Sequence, residues 1–409
     1  MRSTSAPFLG SPGSPLRLLT GLIAALAICL HHAVRARAED VVAYRYESYQ
    51  EDAGRIQVQT QTFLFDTKLS PWVSLRGSFV HDAISGASPA GGPPPSQVLN
   101  PLPPALGGPT GPFSTSVQTS SLTDIRWAGS LEPTFTIGNH RISPQLSYST
   151  EHDYISKGLA LNYAVDLNEK NTTLNLGWSH DMDEIFPNKF LHHIAHKDAD
   201  DILIGVNQLL GPKTVLTANF TYGNSRGYLD DQYKGVLFDN LFGSPYYQDP
   251  TSDLALKGEQ LPRHRNRFIT YLGLTQAVTP LQASVEGSYR LFVDSFGITA
   301  HTWELAWYQK LGRHVVVAPL VRYYRQTGAD FYATHFDDLA APPPYFTSDY
   351  RLSALETFTG GVNLNWRVVD WLTLDASFRR YTMRGLDGVT DQSAYPAACV
   401  YSVGARIWF

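Results

Sequence analysis

The sequence predicts an all-β chain that forms a transmembrane up-and-down antiparallel β-barrel of about 16 strands, with short periplasmic turns and long extracellular loops. Three observations predict it. Segments of alternating apolar and polar residues recur along the chain. The connections between them alternate between short and long. The sequence ends in YSVGARIWF, which has one apolar face.

The alternating segments have the period of two that is typical of β-strands. In TTLNLGWSH, from Thr172, leucine and tryptophan occupy one face, whereas threonine, asparagine and serine occupy the other. The segment AHTWELAWYQ, from Ala300, repeats the pattern. No stretch of similar length has a convincing helical period, so the sequence indicates strands throughout.

The connections support a barrel over a soluble β-sandwich. Short joins occur at TKLSP, IGNHR, LNEKN, LGPK, VTPL, KLGRH and VVDW. Longer links lie between them, at residues 84–120, 183–198, 226–263, 328–353 and 385–395, with brief ones near residues 51–55, 153–156 and 294–297. Outer-membrane barrels have tight turns at one end and longer loops at the other, while a sandwich has no reason for such strict alternation.

Residues 1–38 are predicted to be a cleaved signal peptide, which leaves residues 39–409 for the barrel. Arg2 and Arg17 precede an apolar run, and Ala36-Arg37-Ala38 resembles a cleavage site. The run is shorter than the roughly 20 apolar residues of a membrane anchor. Lipidation at Cys29 is the other alternative, but bulky residues precede that cysteine. After cleavage Cys399 is the only thiol, so no intrachain disulfide is expected.

The composition disfavours nucleic acid as a partner. The formal net charge is −5, and no basic stripe with interleaved aromatic residues occurs. The mean hydropathy of −0.18 fits a membrane barrel as well as a soluble protein, because barrels alternate their apolar residues.

The C-terminal segment is expected to act as an assembly signal. Tyr401, Val403, Ile407 and Phe409 share the apolar face of the last strand. A terminal aromatic residue in the lipid-facing register is the kind of closing-strand signal that the barrel-assembly machinery recognises. We therefore expect this machinery, together with outer-membrane lipid and lipopolysaccharide, among the partners.

Several long stretches carry a family resemblance that spans nearly the whole mature chain. These stretches are DAISGASPAGGPPPS, DIRWAGSL, KNTTLNLGWSHDMDEI, YRLFVDSFGITAHTWELAWYQKLG, PLVRYYRQTGADFY and SDYRLSAL. They resemble an uncharacterised Gram-negative outer-membrane β-barrel family catalogued as a domain of unknown function. The resemblance implies a barrel in the bacterial outer membrane, and it supplies no activity, cofactor or catalytic residue.

Charges of both signs occupy the polar register of the strands. The predicted pore-lining or constriction residues are Arg76, Glu151, Glu286, Arg290, Glu304, Arg322, Asp375, Arg379 and Arg406. A barrel of this size is wide enough for a water channel, and opposed rows of charge would filter ions or small polar solutes. The alternative is that the charges pair as struts across a plugged lumen.

Other sites are less well supported by the pattern. His192 and His196 would share a face if their segment formed a helical turn, which suits a transition metal, but a polar surface loop explains the same residues without a metal and is favoured. Acidic residues at predicted strand ends suit a divalent cation or lipopolysaccharide bridged by one, but polar residues are expected wherever a strand leaves the lipid, and this simpler explanation is favoured. The two largest predicted loops, 84–120 and 226–263, fit a lid, a constriction or a surface epitope.

No enzyme signature emerges. Ser179, His180 and Asp181 supply the residue types of a hydrolase triad, but neighbours on a strand face opposite sides. The sequence therefore predicts a non-enzymatic, porin-like channel without a cofactor. The alternatives are a structural or surface-binding barrel and, third, an outer-membrane hydrolase.

Overall fold

The computed structural model of the 409-residue chain describes residues 40–89, 119–188, 190–238, 256–334, 336 and 341–409. The predicted signal peptide, residues 1–38, lies outside these residues. So does most of the predicted loop 84–120.

Strands make up most of the described chain. In order they are β1 Val41–Glu51, β2 Ile56–Ser70, β3 Val73–Pro89, β4 Thr119–Ile137, β5 His140–Thr150, β6 Tyr154–Leu167, β7 Thr172–Ile185, β8 Ala195–Gly211, β9 Thr214–Gly227, β10 Gly235–Leu237, β11 Leu256–Gly258, β12 His264–Val278, β13 Ala283–Asp294, β14 Thr299–Leu311, β15 Val315–Gln326, β16 Leu355–Val369, β17 Leu372–Gly385 and β18 Ala397–Trp408. Short 3₁₀-helices cover Asp52–Gly54, Thr279–Leu281, Tyr350–Leu352 and Gln392–Ala394. Among the described residues, no helix has the length and hydropathy needed to span a membrane.

Sixteen of these strands form one closed antiparallel barrel, and β10 and β11 form a separate small hairpin. Each barrel strand pairs with its neighbour in sequence, except that β9 pairs with β12 across the β10–β11 hairpin. The first and last strands close the ring, with Val41 opposite Trp408 and Glu51 opposite Ala398. The predicted up-and-down barrel and its strand number are confirmed.

The two ends of the barrel differ as the sequence predicts. At one end the turns are short, for example residues 71–72 and residues 279–282. Two of these turns contain a glycine with positive φ, Gly138 and Gly312, a conformation that glycine adopts without strain. The chain enters and leaves at this same end, where the backbones of Asp40 and Phe409 exchange hydrogen bonds of 3.2 and 3.0 Å. At the other end the connections range from residues 151–153 to residues 228–263. The short-turn end is the periplasmic one in this topology.

An apolar belt surrounds the barrel. The outward register of the strands carries exposed large apolar side chains, for example Leu146, Ile204, Leu305, Phe358 and Val403. A water-soluble protein rarely exposes a continuous apolar surface of this extent. The belt is therefore the lipid-facing surface of a transmembrane barrel.

One predicted loop is shorter than the sequence indicated. Residues 84–89 continue β3, and β4 begins at Thr119, so that the hairpin pairs from Val73 opposite Phe135 up to Pro89 opposite Thr119. A strand of this length, even tilted by about 45°, exceeds an apolar band of about 25 Å. The β3–β4 hairpin therefore projects beyond the membrane at the extracellular end. Alternation alone could not reveal the extension, because this stretch is rich in Gly, Ser and Pro.

Buried apolar clusters lie at the extracellular end rather than in the lumen. One packs Leu261 against Phe296 and Ile298. Another joins Val236 and Phe238 of one loop to Phe346 of a different loop. The long loops therefore pack onto one another and onto the barrel rim.

The lipid-facing assignment can be tested on β16. Val362 faces outward and is 40% exposed, whereas its neighbour Asn363 faces the lumen. We expect Val362→Arg to lower the free energy of unfolding by about 2–4 kcal/mol, because the arginine would enter hydrocarbon. Asn363→Arg is the matched control and should change it much less. Urea unfolding in lipid vesicles measures both, and equal losses would contradict the assigned register.

Candidate functional site

The strand register places eight of the nine predicted pore-lining residues on the lumen side of the wall, whereas Glu151 lies in the β5–β6 connection at the mouth. Pairing carries the assignment from strand to strand: Glu304 lies opposite Arg322, and Arg322 lies opposite Thr359. Arg76, Glu286, Arg290, Asp375, Arg379 and Arg406 occupy the same register, and Glu151 directly follows β5. Their role in conduction stays a prediction.

Most lumenal charges form ion pairs along the wall. Arg76 contacts Asp66 of the neighbouring strand at 2.8 Å, and Arg265 contacts Asp294 at 2.5 Å. Further lumenal pairs are Arg126 with Asp82, Arg141 with Asp166, Lys197 with Asp183, Arg267 with Asp201, and Arg45 with Asp375. Each joins strands that are adjacent or next but one in the barrel order. Within the described part of the chain, no ion pair between barrel strands crosses to the opposite wall.

The wall from β13 to β17 carries charges without ion pairs. Arg290 on β13, Arg322 on β15 and Arg379 on β17 are exposed to the lumen. As far as the chain is described, none of the three side chains makes a hydrogen bond or ion pair. Glu304 also lacks an ion pair there, while Glu286 accepts a hydrogen bond of 3.3 Å from Tyr308. Of the nine predicted residues, Arg76 and Asp375 are thus tied into the wall, and Arg406 lies over the Trp408 ring at 5.7 Å.

A cavity of about 490 Å³ opens beside this wall, under the extracellular loops. Glu304, Arg322 and Arg379 line it from the barrel. Tyr350 and Arg351 line it from the loop between β15 and β16. Its other lining residues are Tyr49, Glu51, Leu320, Thr359, Tyr381, Met383, Pro396 and Val400. Three of the predicted residues therefore come together at one site, and the other six lie outside its lining.

The extracellular loops form a connected layer, which we call the cap. It comprises residues 228–238, 256–263, 327–334, 341–354 and 386–396. Its first loop reaches the β5–β6 connection, where Gln232 and Tyr233 both donate hydrogen bonds to Asp153. It also reaches the β15–β16 loop through an ion pair between Arg351 and Asp231. The cap therefore runs from the β5–β6 side of the mouth to the cavity.

A buried carboxyl group lies at the centre of the cap. Glu259 is 6% exposed, and its carboxylate accepts hydrogen bonds from the Asp231 amide at 2.5 Å and the Thr347 hydroxyl at 2.6 Å. Burial, followed by the charge of nearby Asp349, raises the pKa of Glu259 to about 8. Lys234 lies in the same cluster, and burial lowers the pKa of its ammonium group.

An acidic group lies elsewhere on the mouth. Carboxylate oxygens of Asp124, Glu151 and Asp153 are within 4.8 Å of one another. Burial and the charge of Asp124 raise the pKa of Glu151. Asp153 is already hydrogen bonded by Asn188 at 2.8 Å and by two residues of the cap. Asp153 therefore anchors the cap.

The premise of the predicted histidine metal site does not hold. His192 lies in an irregular loop and His196 on strand β8, so the two do not share the face of a helical turn. The hydrolase residues also stay apart: Ser179 faces the lumen, whereas His180 faces outward and its Nδ1 lies 2.9 Å from Asp200. In contrast, Tyr401, Val403 and Ile407 of the expected assembly signal lie in the outward register, which continues to Phe409.

Sequence reasoning missed the aromatic and loop components of the cavity. Tyr49 and Tyr381 lie in the lumen register near strand ends, where alternation could have indicated them. Tyr350 and Arg351 belong to a short 3₁₀-helix, and Asp349 directly before it accepts a hydrogen bond from the Arg351 amide. No periodic signal places such a loop over the lumen.

The chain belongs to the family described as "Protein of unknown function (DUF3570)", which matches residues 19–194 and 186–396. A search of curated proteins gives no match. Among solved structures, the siderophore receptor PirA from Pseudomonas aeruginosa is 10% identical with a TM-score of 0.43, and the alignment covers 90% of this chain and 62% of the receptor. A bacterial polysaccharide outer membrane secretin is 7% identical, with a TM-score of 0.47 and coverage of 92% and 100%. A BenF-like porin from Pseudomonas fluorescens Pf-5 is 9% identical, with a TM-score of 0.42 and coverage of 91% and 98%. These similarities assign no activity.

The cap should loosen as the pH rises. Because Glu259 has a higher pKa in the folded cap than when exposed, its contribution to the stability of the closed cap is fully present below about pH 4.5 and is lost as the pH rises to about 8. The loss should be on the order of 1 kcal/mol per pH unit within that window. Hydrogen exchange of residues 256–261, compared at each pH with Glu259→Gln, measures it. The variant cannot lose this proton and should show no such dependence, whereas identical protection in both proteins at every pH would contradict the assignment.

Proposed function

We propose that this barrel is an outer-membrane, porin-like channel for ions or small polar solutes. The observation that carries the proposal is the course of the lumenal ion pairs. They run along the wall between near neighbours, so they do not act as struts across the lumen. A barrel of 16 strands leaves an aqueous interior when nothing fills it.

The cavity under the cap is the proposed constriction. It combines unpaired charge from Glu304, Arg322 and Arg379 with a roof from the β15–β16 loop. A fixed charge beside a narrow aqueous path changes the free energy of a passing ion, whereas a distant charge is screened within about 8 Å at physiological salt. We therefore infer that the selectivity of the channel is set here.

The outer-membrane location is part of the proposal. The apolar belt supports insertion into a bilayer, and closed β-barrels with short turns at one end are typical of that membrane. The predicted signal peptide would direct export to the periplasm, from which the barrel-assembly machinery inserts such proteins.

A second candidate is a non-conducting structural or surface-binding barrel. The cap favours it, because the ion pair between Arg351 and Asp231 and the cluster around Phe346 tie separate loops into one layer. A cap that never opens would block the extracellular mouth. Conductance separates the two candidates.

Purified protein in a planar bilayer should give discrete conductance steps, and charge reversal at the constriction should alter their ion selectivity. We expect Arg322→Glu and Arg379→Glu each to shift the cation-to-anion permeability ratio toward cations by up to about thirtyfold, because a change of two charges about 8 Å from an ion in water stabilises a cation by about 1 kcal/mol and destabilises an anion by the same amount. Reversal potentials in a salt gradient give the ratio.

The matched control is Arg325→Glu. Arg325 lies on the same strand as Arg322 but in the outward register, so the ratio should stay close to the wild-type value. Silent bilayers would overturn the channel and favour the structural barrel. If neither Arg322→Glu nor Arg379→Glu changed the permeability ratio, the constriction would lie elsewhere in the barrel.

A further inference from the structure

We propose that the cavity under the cap is a binding site for a small organic carboxylate that also carries a hydroxyl or ammonium donor. The inference rests on the proposed function, since it names the solute class of the same site. Its support comes from three features of the cavity: the two free guanidinium groups, the single free carboxylate and the tyrosine rings.

Arg322 and Arg379 supply the anion-binding groups. Both side chains line the cavity, and the described part of the chain offers neither of them an ion pair or hydrogen bond. Arg322 lies opposite Thr359, which lies opposite Tyr381, and Arg379 is two residues from Tyr381 on the same strand. The Cα atoms of Arg322 and Arg379 are two strands apart across the sheet and two residues apart along it, which corresponds to a distance of about 12 Å. Two long side chains can span this distance onto one carboxylate, which guanidinium groups bind in a bidentate manner.

The neighbouring charges leave this pair available. Arg351 is held by Asp349 at 2.5 Å and by Asp231, so its charge is already compensated. Glu51 is compensated by Arg55 at 3.4 Å. The groups without ion pairs in the cavity are thus two arginines and Glu304, which gives a local excess of positive charge. This balance favours an anion over a neutral solute or a cation.

Glu304 is the reason why the solute must also carry a hydrogen-bond donor. It lies directly opposite Arg322 in the register, yet the two side chains form no ion pair within 4.0 Å. A carboxylate that faces the cavity accepts hydrogen bonds but donates none. A solute with a hydroxyl or ammonium group can satisfy it, whereas an apolar carboxylate would leave it repelling the solute. The tyrosine rings of residues 49, 350 and 381 provide amphipathic surface for the body of the solute.

The test uses the folded full-length barrel in detergent, so that binding is measured independently of conduction. Isothermal titration calorimetry with gluconate, hexanoate and glucose separates the two requirements. We expect gluconate to bind measurably and with higher affinity than hexanoate, which lacks hydroxyl groups, and glucose, which lacks the carboxylate. Absence of gluconate binding, or equal binding of all three, would overturn the proposal.

Variants locate the site. Arg322→Gln and Arg379→Gln should each weaken gluconate binding about tenfold or more, the scale of one lost charge-assisted contact. Arg325→Gln, on the outward face, should leave it unchanged. Glu304→Gln should weaken gluconate binding relative to hexanoate, because it replaces one carboxylate acceptor oxygen with an amide donor and removes a charge that repels the carboxylate of either solute. Heat-modifiable migration shows that each variant is folded, and unchanged affinity in both folded arginine variants would refute the assignment.

The outcomes distinguish this inference from the channel proposal. Gluconate binding with silent bilayers would retain the site and remove the channel. Conducting bilayers without gluconate binding would retain the channel and remove the site.

Discussion

The structure depends on closure of the backbone hydrogen-bond network inside the bilayer. Hydrocarbon offers no partner to a peptide N–H or C=O, so a sheet that spans a membrane must have no open edge. Here β1 and β18 remove the edge by pairing along their full length, from Val41 opposite Trp408 to Glu51 opposite Ala398. Closure fixes the register of every strand in turn, and the register decides which side chains meet lipid and which meet the lumen.

The lumenal charges fall into two groups with different physical consequences. Asp294 is fully buried and accepts hydrogen bonds from Arg265 and from the amides of Phe296 and Ile298, so the loss of its arginine would strand a buried charge at a cost of about 3–5 kcal/mol. Arg322 and Arg379 are exposed to the lumen. Loss of the arginine partner of Asp294 therefore destabilises the fold, whereas the exposed Arg322 and Arg379 contribute little to stability.

Strand register was predictable from the sequence because its signal is local. Leu174 and Trp178 on one face, with Thr173 and Asn175 on the other, repeat a two-residue period that lipid on one side and water on the other impose. Turn positions followed from the same alternation. The same alternation was enough to predict that Arg322 and Arg379 face the lumen.

The cap was not predictable, because its contacts join distant residues of irregular loops: Tyr233 reaches Asp153, and Glu259 reaches Thr347. The wall pairs that skip a strand, such as Arg45 with Asp375, also depend on the barrel order rather than on local spacing.

The cap and the free arginines are linked through Arg351. Its guanidinium is held between Asp349 and Asp231, which belong to different loops, so it fixes the β15–β16 loop against the loop that crosses from β9. The same residue lines the cavity that Arg322 and Arg379 enter from the wall. Glu259 is connected to this roof through Thr347, whose hydroxyl donates a hydrogen bond to Glu259 and accepts one from the Asp349 amide. The molecule thus combines a wall held by its backbone ladder with a roof held by side-chain contacts between loops.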